Sequence, residues 1–162
     1  MQLGESLLAI AAVVMFTVGT LQLNGMRLDG RTRMWEAEFR TTALALAQSY
    51  VEQAQTLSFD EVLTDTTARA ARPVGLTPPV DFGPDAHEPT IDDYDDVDDF
   101  HAYAEDVITP RANYHVSIQA TYADSSTLAP GTELSLLKWL TVAVSSPFYR
   151  DTLRVHYLCA LR

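Results

Sequence analysis

The chain has 162 residues, of which 22 are acidic and 11 basic, and its formal net charge is −11. A surface this acidic repels nucleic-acid phosphates, so the composition argues against nucleic acid as a direct partner. Cys159 is the only cysteine, which excludes a disulfide within the chain. Because it alternates with apolar residues, we expect a buried, inert thiol. Once residues 1–24 are set aside, the remainder is enough for one small domain.

The first stretch of the chain is apolar, with no charged residue from Ser6 to Leu23. As a helix, these residues would span about 27 Å, close to the hydrocarbon thickness of a bilayer. Residues 1–24 are therefore predicted to form a transmembrane helix. Glu5 stands at its edge, where an ionisable side chain is costly and usually has a partner. The nearest positive charge in the sequence is the α-amino group of Met1, so we expect Glu5 to pair with that amine or with a neighbouring subunit's.

The pattern Met1-Gln2-Leu3-Gly4-Glu5 followed by a long apolar helix resembles the mature N-terminus of type IV pilins and pseudopilins. The resemblance implies removal of a basic leader, methylation of the new N-terminus and a role for Glu5 in subunit register. It implies that the chain waits in the inner membrane and then enters an extracellular filament or a periplasmic pseudopilus. Its partners would be copies of itself, other pilins and the inner-membrane assembly machinery. The residues expected to serve assembly are Met1, Glu5, Gly19 and Gly25.

Simpler interpretations of the same stretch stay open. Glutamate is favoured in the first turn of any helix by the helix dipole. A signal peptide fits poorly, because no basic segment precedes the apolar run and no small-residue cleavage site follows Leu23. Basic residues occur only after the run, which by the positive-inside rule would place the C-terminal part in the cytoplasm unless a basic leader has been removed. The alternative to a filament subunit is a single-pass anchored protein whose acidic domain binds a partner or calcium.

Residues 25–57 are predicted to continue the helix in amphipathic form. Each glycine costs a helix about 1 kcal/mol, so we expect a weak or partly melted segment between Gly19 and Gly30. Pilin helices often loosen here, usually at a proline, but this chain has none in that segment. From Met34 to Leu57, bulky and small apolar residues recur every three or four positions, which predicts a stripe that covers a sheet. The stripe comprises Trp35, Phe39, Ala43, Leu46, Tyr50, Ala54 and Leu57.

Residues 58–112 are predicted to be a connecting region, rich in proline and then in acid. Six aspartates could supply the oxygen ligands that calcium needs, as a loop does in some pseudopilins, although the spacing does not match an EF-hand. The alternative is a solvated acidic loop without metal. The run Val97-Asp98-Asp99-Phe100 is similar to a short motif of minor pilins of the mannose-sensitive haemagglutinin type. The six possible calcium ligands are Asp92, Asp93, Asp95, Asp96, Asp98 and Asp99.

Residues 113–162 are predicted to form an antiparallel β-meander. Asn113 to Tyr122 alternates cleanly between apolar and polar residues, and Leu134 to Val144 and Thr152 to Leu161 supply two further strands. The predicted fold is α+β, a long N-terminal helix packed on an antiparallel sheet of three to four strands, as in pilins. The sequence holds no glycine-rich phosphate loop, Gly-x-Ser-x-Gly or zinc-ligand spacing, so we expect no enzyme and place the function in self-association.

Overall fold

The computed structural model describes residues 2–63 and 75–161. Residues 1, 64–74 and 162 lie outside this part, as do the predictions made for Met1 and for most of the first proline-rich stretch. Of Gln2, Leu3 and Glu5 only the backbone is described. The chain divides into two compact units, one ending at Phe39 and one beginning at Arg40.

The described residues form one α-helix and one antiparallel sheet, which confirms the predicted α+β class. Helix α1 is Gln2–Thr56, and three short 3-10 turns follow at Glu61–Leu63, Pro79–Asp81 and Asp98–Phe100. The five strands are β1 Ala104–Ile108, β2 Asn113–Ala123, β3 Pro130–Gly131, β4 Leu137–Ser145 and β5 Leu153–Ala160.

Helix α1 is continuous through Gly19 and Gly30, so the prediction of a partly melted segment was wrong for this structure. The physical reason is the absence of proline before residue 73, because every peptide in this zone keeps the N–H group that the helix ladder needs. The cost of about 1 kcal/mol at each isolated glycine does not interrupt a helix with long flanks. The hydroxyls of Thr17 and Thr20 also donate hydrogen bonds to the backbone carbonyls of Val13 and Thr17 within the helix.

The sheet is a meander in the order β1-β2-β4-β5, with β3 added beside the end of β2. In β2 and β4 the side chains of one face are buried and those of the other are exposed or half-buried, as alternation predicts. The register places Ile118 opposite Val142 and Ala120 opposite Leu140. These pairs form the inner face on which the second half of the helix packs.

The helix contributes small residues to this interface. Ala43, Ala47 and Ala54 are buried, and Tyr50 donates a hydrogen bond from its hydroxyl to Glu105 Oε2 at 2.8 Å. The predicted stripe is therefore correct in its second half. Trp35 is 56% exposed and does not belong to the core, because the helix residues that are buried begin only at Ala43.

Two further features differ from the sequence-based prediction. Strand β1 lies within residues 58–112, which were expected to be connecting; its residues are mostly exposed, so they lack the alternation that marks a half-buried strand. Cys159 was expected to be buried but is half-buried, because β5 is an edge strand.

We predict that Ala47→Leu destabilises the chain by about 1–3 kcal/mol, because the fully buried Cβ has no room for three more carbons. Ala45→Leu makes the same change on the exposed side of the same helical turn and should leave stability within about 0.5 kcal/mol. Thermal unfolding of the full chain in detergent measures both. Equal melting temperatures for the two variants would contradict this packing.

Candidate functional site

The first candidate surface is the N-terminal part of helix α1. An 18-residue window within it is apolar and has no buried residue, and the helix is long and apolar enough to cross a membrane. Exposed apolar side chains continue past Leu23, to the more polar part of the helix. They are Leu7, Leu8, Ile10, Val13, Val14, Met15, Phe16, Val18, Leu21, Leu23, Met26, Leu28, Met34 and Trp35.

The structure describes in full two of the four residues predicted to serve assembly, and of the other two it describes only the backbone of Glu5. Gly19 and Gly25 lie within the helix, and a Cβ added at either would meet no heavy atom within 4 Å. The backbone of the described chain is thus open to close approach at both positions. Glu5 lies near the start of α1, but its side chain is outside the described part, as is the whole of Met1.

The second candidate is the acidic segment, whose six aspartates do not converge on one point. Asp92 and Asp93 are exposed, and Asp93 Oδ2 accepts hydrogen bonds from the backbone and hydroxyl of Thr90. Asp96, Asp98 and Asp99 are buried. The interpretation as a solvated loop was therefore wrong for this half of the segment, because these carboxylates bind backbone amides and a lysine within the fold.

The buried aspartates shape the chain around Val97. Asp96 Oδ1 accepts the amide N–H groups of Asp98 and Asp99, and Asp99 Oδ2 accepts those of Asp95 and Asp96. Desolvation by burial raises the pKa of Asp99 to about 7 and the pKa of Asp96 well above its usual range. Neighbouring carboxylates add to both shifts. At neutral pH this segment therefore holds protons that an unfolded chain would release.

Two carboxylate groups have a spacing that could hold a cation. Glu61 forms one with Asp95 and Asp96, and Glu88 forms the other with Asp95 and Asp99; within each group one oxygen per residue lies within 4.8 Å of the others. Sequence reasoning missed Glu61 and Glu88, which lie outside the aspartate run. No pattern in the sequence marked them, because the contacts that bring these segments to the aspartates exist only in the folded chain: Ser58 pairs with Asp96, and Glu88 accepts the amide of Asp95.

Lys138 on β4 is fully buried, as is Asp60 beside it. Its Nζ donates to the carbonyl of Phe59 at 2.6 Å and to Asp60 Oδ2 at 2.9 Å, and it contacts Asp98 Oδ1. The ammonium also lies over the rings of Phe59, Phe82 and Tyr122, at 4.8, 5.1 and 5.7 Å from their centroids. One cation thus joins the segment after the helix, the acidic segment and the sheet.

Asp60, one of the two carboxylates on Lys138, is held from several sides. It accepts the backbone amide and the hydroxyl of Thr77 and the hydroxyl of Tyr122. This cluster was not predicted from the sequence. The sequence did contain a signal for it. Lys138 is two residues before Leu140 in the alternation of β4, so it lies on the same inner face as Leu140, Val142 and Val144.

The described part of the chain thus has an exposed apolar helix and a domain with clustered carboxylates and one buried amine. Comparisons with protein-family models, curated proteins and solved structures found no match for this chain.

We predict that the chain becomes more stable as the pH falls from 8 to 5. The folded chain retains the Asp99 proton that the unfolded chain has lost by about pH 5, so this contribution is full below about pH 4 and disappears as the pH rises through 7. The gain should be about 2 kcal/mol and is measured by thermal unfolding in detergent at several pH values.

Asp99→Asn removes the titrating group and keeps an acceptor oxygen, so its melting temperature should vary less with pH than that of the wild type. The control is Asp92→Asn, which makes the same change at an exposed position. If Asp99→Asn kept the wild-type slope, the raised pKa would not be the cause.

Proposed function

We propose that the protein is a structural subunit of a type IV pilus-like filament or pseudopilus, assembled through its N-terminal helix. The observation that carries this proposal is the length of the exposed apolar surface. Exposed apolar side chains occur over about 42 Å of the helix, from Leu7 to Trp35, although after Leu23 they alternate with charged residues, whereas a bilayer interior is about 30 Å thick. A plain anchor leaves the far end of this surface in water, and a helical bundle of identical subunits would cover it.

The energetics favour association of these helices outside a membrane. Burying one leucine- or methionine-sized side chain contributes about 1.5–3 kcal/mol, and many such side chains are exposed along the helix. The open backbone at Gly19 and Gly25 supports close helix–helix contact, since small residues let two helices approach. The folded unit that begins at Arg40 would then remain in water, where its acidic surface keeps it soluble.

Glu5 has the specific role of offsetting a neighbouring subunit's N-terminal amine in an apolar bundle. We predict that Glu5→Ala lowers the amount of chain in filaments sheared from producing cells by at least about tenfold, because an uncompensated charge in the bundle costs several kcal/mol. Quantification of the chain in sheared and membrane fractions measures the effect. The melting temperature of the domain should not change.

The matched control is Glu52→Ala, the same change at an exposed site of the same helix. It should assemble like the wild type. Normal filament yield from Glu5→Ala would remove the role given to Glu5. Mass spectrometry of the N-terminal peptide tests the proposal itself: a chain in sheared material that begins at Met1 with one added methyl group supports it, and a chain with upstream residues found only in membranes opposes it.

A second candidate function is that of a membrane-anchored protein whose acidic domain binds calcium. The convergence of Glu88, Asp95 and Asp99 favours it, because three carboxylate oxygens within 4.8 Å form half of a calcium shell. Binding there would also relieve the repulsion that helps to raise the pKa of Asp99.

This candidate predicts that calcium raises the melting temperature at pH 8 and that a chelator reverses the rise. At a hundredfold excess over the dissociation constant, the expected gain is about 2.7 kcal/mol. Asp95→Asn removes the residue shared by both carboxylate groups and should abolish the gain, whereas Asp92→Asn should keep it. A melting temperature indifferent to calcium and chelator would exclude this function.

A further inference from the structure

The buried cation is a lysine, although arginine is by far the more frequent basic residue of this chain. The chain has eleven basic residues, and ten of them are arginine. Arginine suits a buried ion pair because its planar fork binds carboxylates and it is never deprotonated. The one lysine occupies the fully buried site. A lysine amine differs from a guanidinium in one chemical respect that matters here, since it can lose its proton and act as a nucleophile.

We propose that Lys138 and Asp98 form an intramolecular isopeptide bond, an amide that joins Nζ of Lys138 to Cγ of Asp98. The two side chains are in direct contact, and their exposed fractions are 0% and 4%. They are held together by the fold before any reaction, which removes the entropic cost of bringing an amine to a carboxyl group. This covalent bond goes beyond the proposed filament function and does not depend on it.

Asp98, and not Asp60, is assigned as the acyl group. The carboxylate of Asp60 accepts hydrogen bonds from Thr77 and Tyr122, which stabilise its charge and lower its electrophilicity. Asp98 instead has a carboxyl neighbour, Asp96, with which it shares a side-chain hydrogen bond. Asp96 Oδ1 also accepts the backbone amides of Asp98 and Asp99, so it holds the backbone of the acyl residue in place beside Lys138.

Three groups suffice for a balanced condensation. The Lys138 ammonium gives one proton to Asp60, and the free amine attacks Cγ of Asp98. A C–N bond forms, and a C–O bond of Asp98 breaks. The leaving oxygen takes the proton held by Asp60 and a second proton from nitrogen and departs as water. The amide keeps the third proton of the ammonium, and Asp60 is again a carboxylate. No oxidant, reductant or cofactor is needed.

The surroundings favour the amide over its hydrolysis. The rings of Phe59, Phe82 and Tyr122 lie around the nitrogen, and Phe59 and Tyr122 are buried. Such a site excludes the water that would reverse the reaction. The bond would close a segment of 40 residues between Asp98 and β4 and would hold the acidic segment on the sheet under shear.

The test is the intact mass of the full chain, purified in detergent and denatured before measurement. We expect the mass of the denatured chain to be lower than the mass calculated from its sequence by one water molecule. We also expect trypsin to leave Lys138 uncut and to release the peptide ending at Arg111 joined to the peptide 112–150. Fragmentation of that pair should locate the bond at Asp98.

Asp60→Asn is the mechanistic variant, because it keeps the size of the side chain and removes the carboxylate that takes the proton from Lys138. It should have the full sequence mass or close the bond at a much lower rate. Asp92→Asn makes the same change at an exposed position and should lose water like the wild type. A wild-type chain with the full sequence mass and normal cleavage after Lys138 would show an ordinary ion pair and overturn the proposal; a bond located at Asp60 would overturn the assignment.

Discussion

The domain depends on how one buried amine compensates an excess of buried carboxylate. Lys138 reaches across the inner face of β4 to Asp60 and Asp98, and with them fixes the segment after the helix and the segment before β1. Without the ammonium, two carboxylates would lie uncompensated inside the fold, at a cost of about 3–5 kcal/mol. The sheet supplies the platform and the alanine face of the helix covers it, but the connecting segments gain their positions from this charge.

The remaining carboxylates are accommodated in a different way. Asp96 and Asp99 satisfy backbone amides that the turn at Asp98–Phe100 leaves without partners, and burial raises the pKa of both. In the acidic segment, burial therefore favours the protonated form of Asp96 and Asp99, whereas Asp98 contacts the ammonium of Lys138. A proton or a cation can remove part of the excess charge, whereas an amide would remove one ammonium and one carboxylate together, so a single cluster supports predictions about pH, calcium and amide formation.

The periodic spacing of apolar residues correctly predicted the elements that bury only one of their faces. The alternation of β2 marked its inner face correctly, and the spacing of Ala43, Tyr50 and Ala54 marked the packed side of the helix. It failed where contacts between distant segments decide the structure. Strand β1 pairs with β2 although its residues are mostly exposed, and aspartates that look solvated in the sequence are buried by contacts with Ser58 and Lys138. The lysine's place in the inward alternation of β4 was the overlooked signal.

The two units present opposite physical requirements. The unit that begins at Arg40 buries its own apolar residues, whereas the helix up to Phe39 exposes apolar side chains over a length that a bilayer alone does not cover. In the proposed filament subunit, this helix would lie in lipid before assembly and against copies of itself afterwards, and the domain would stay folded in both states. A domain whose connecting segments are tied by a buried charge, or by a bond made from it, meets that requirement.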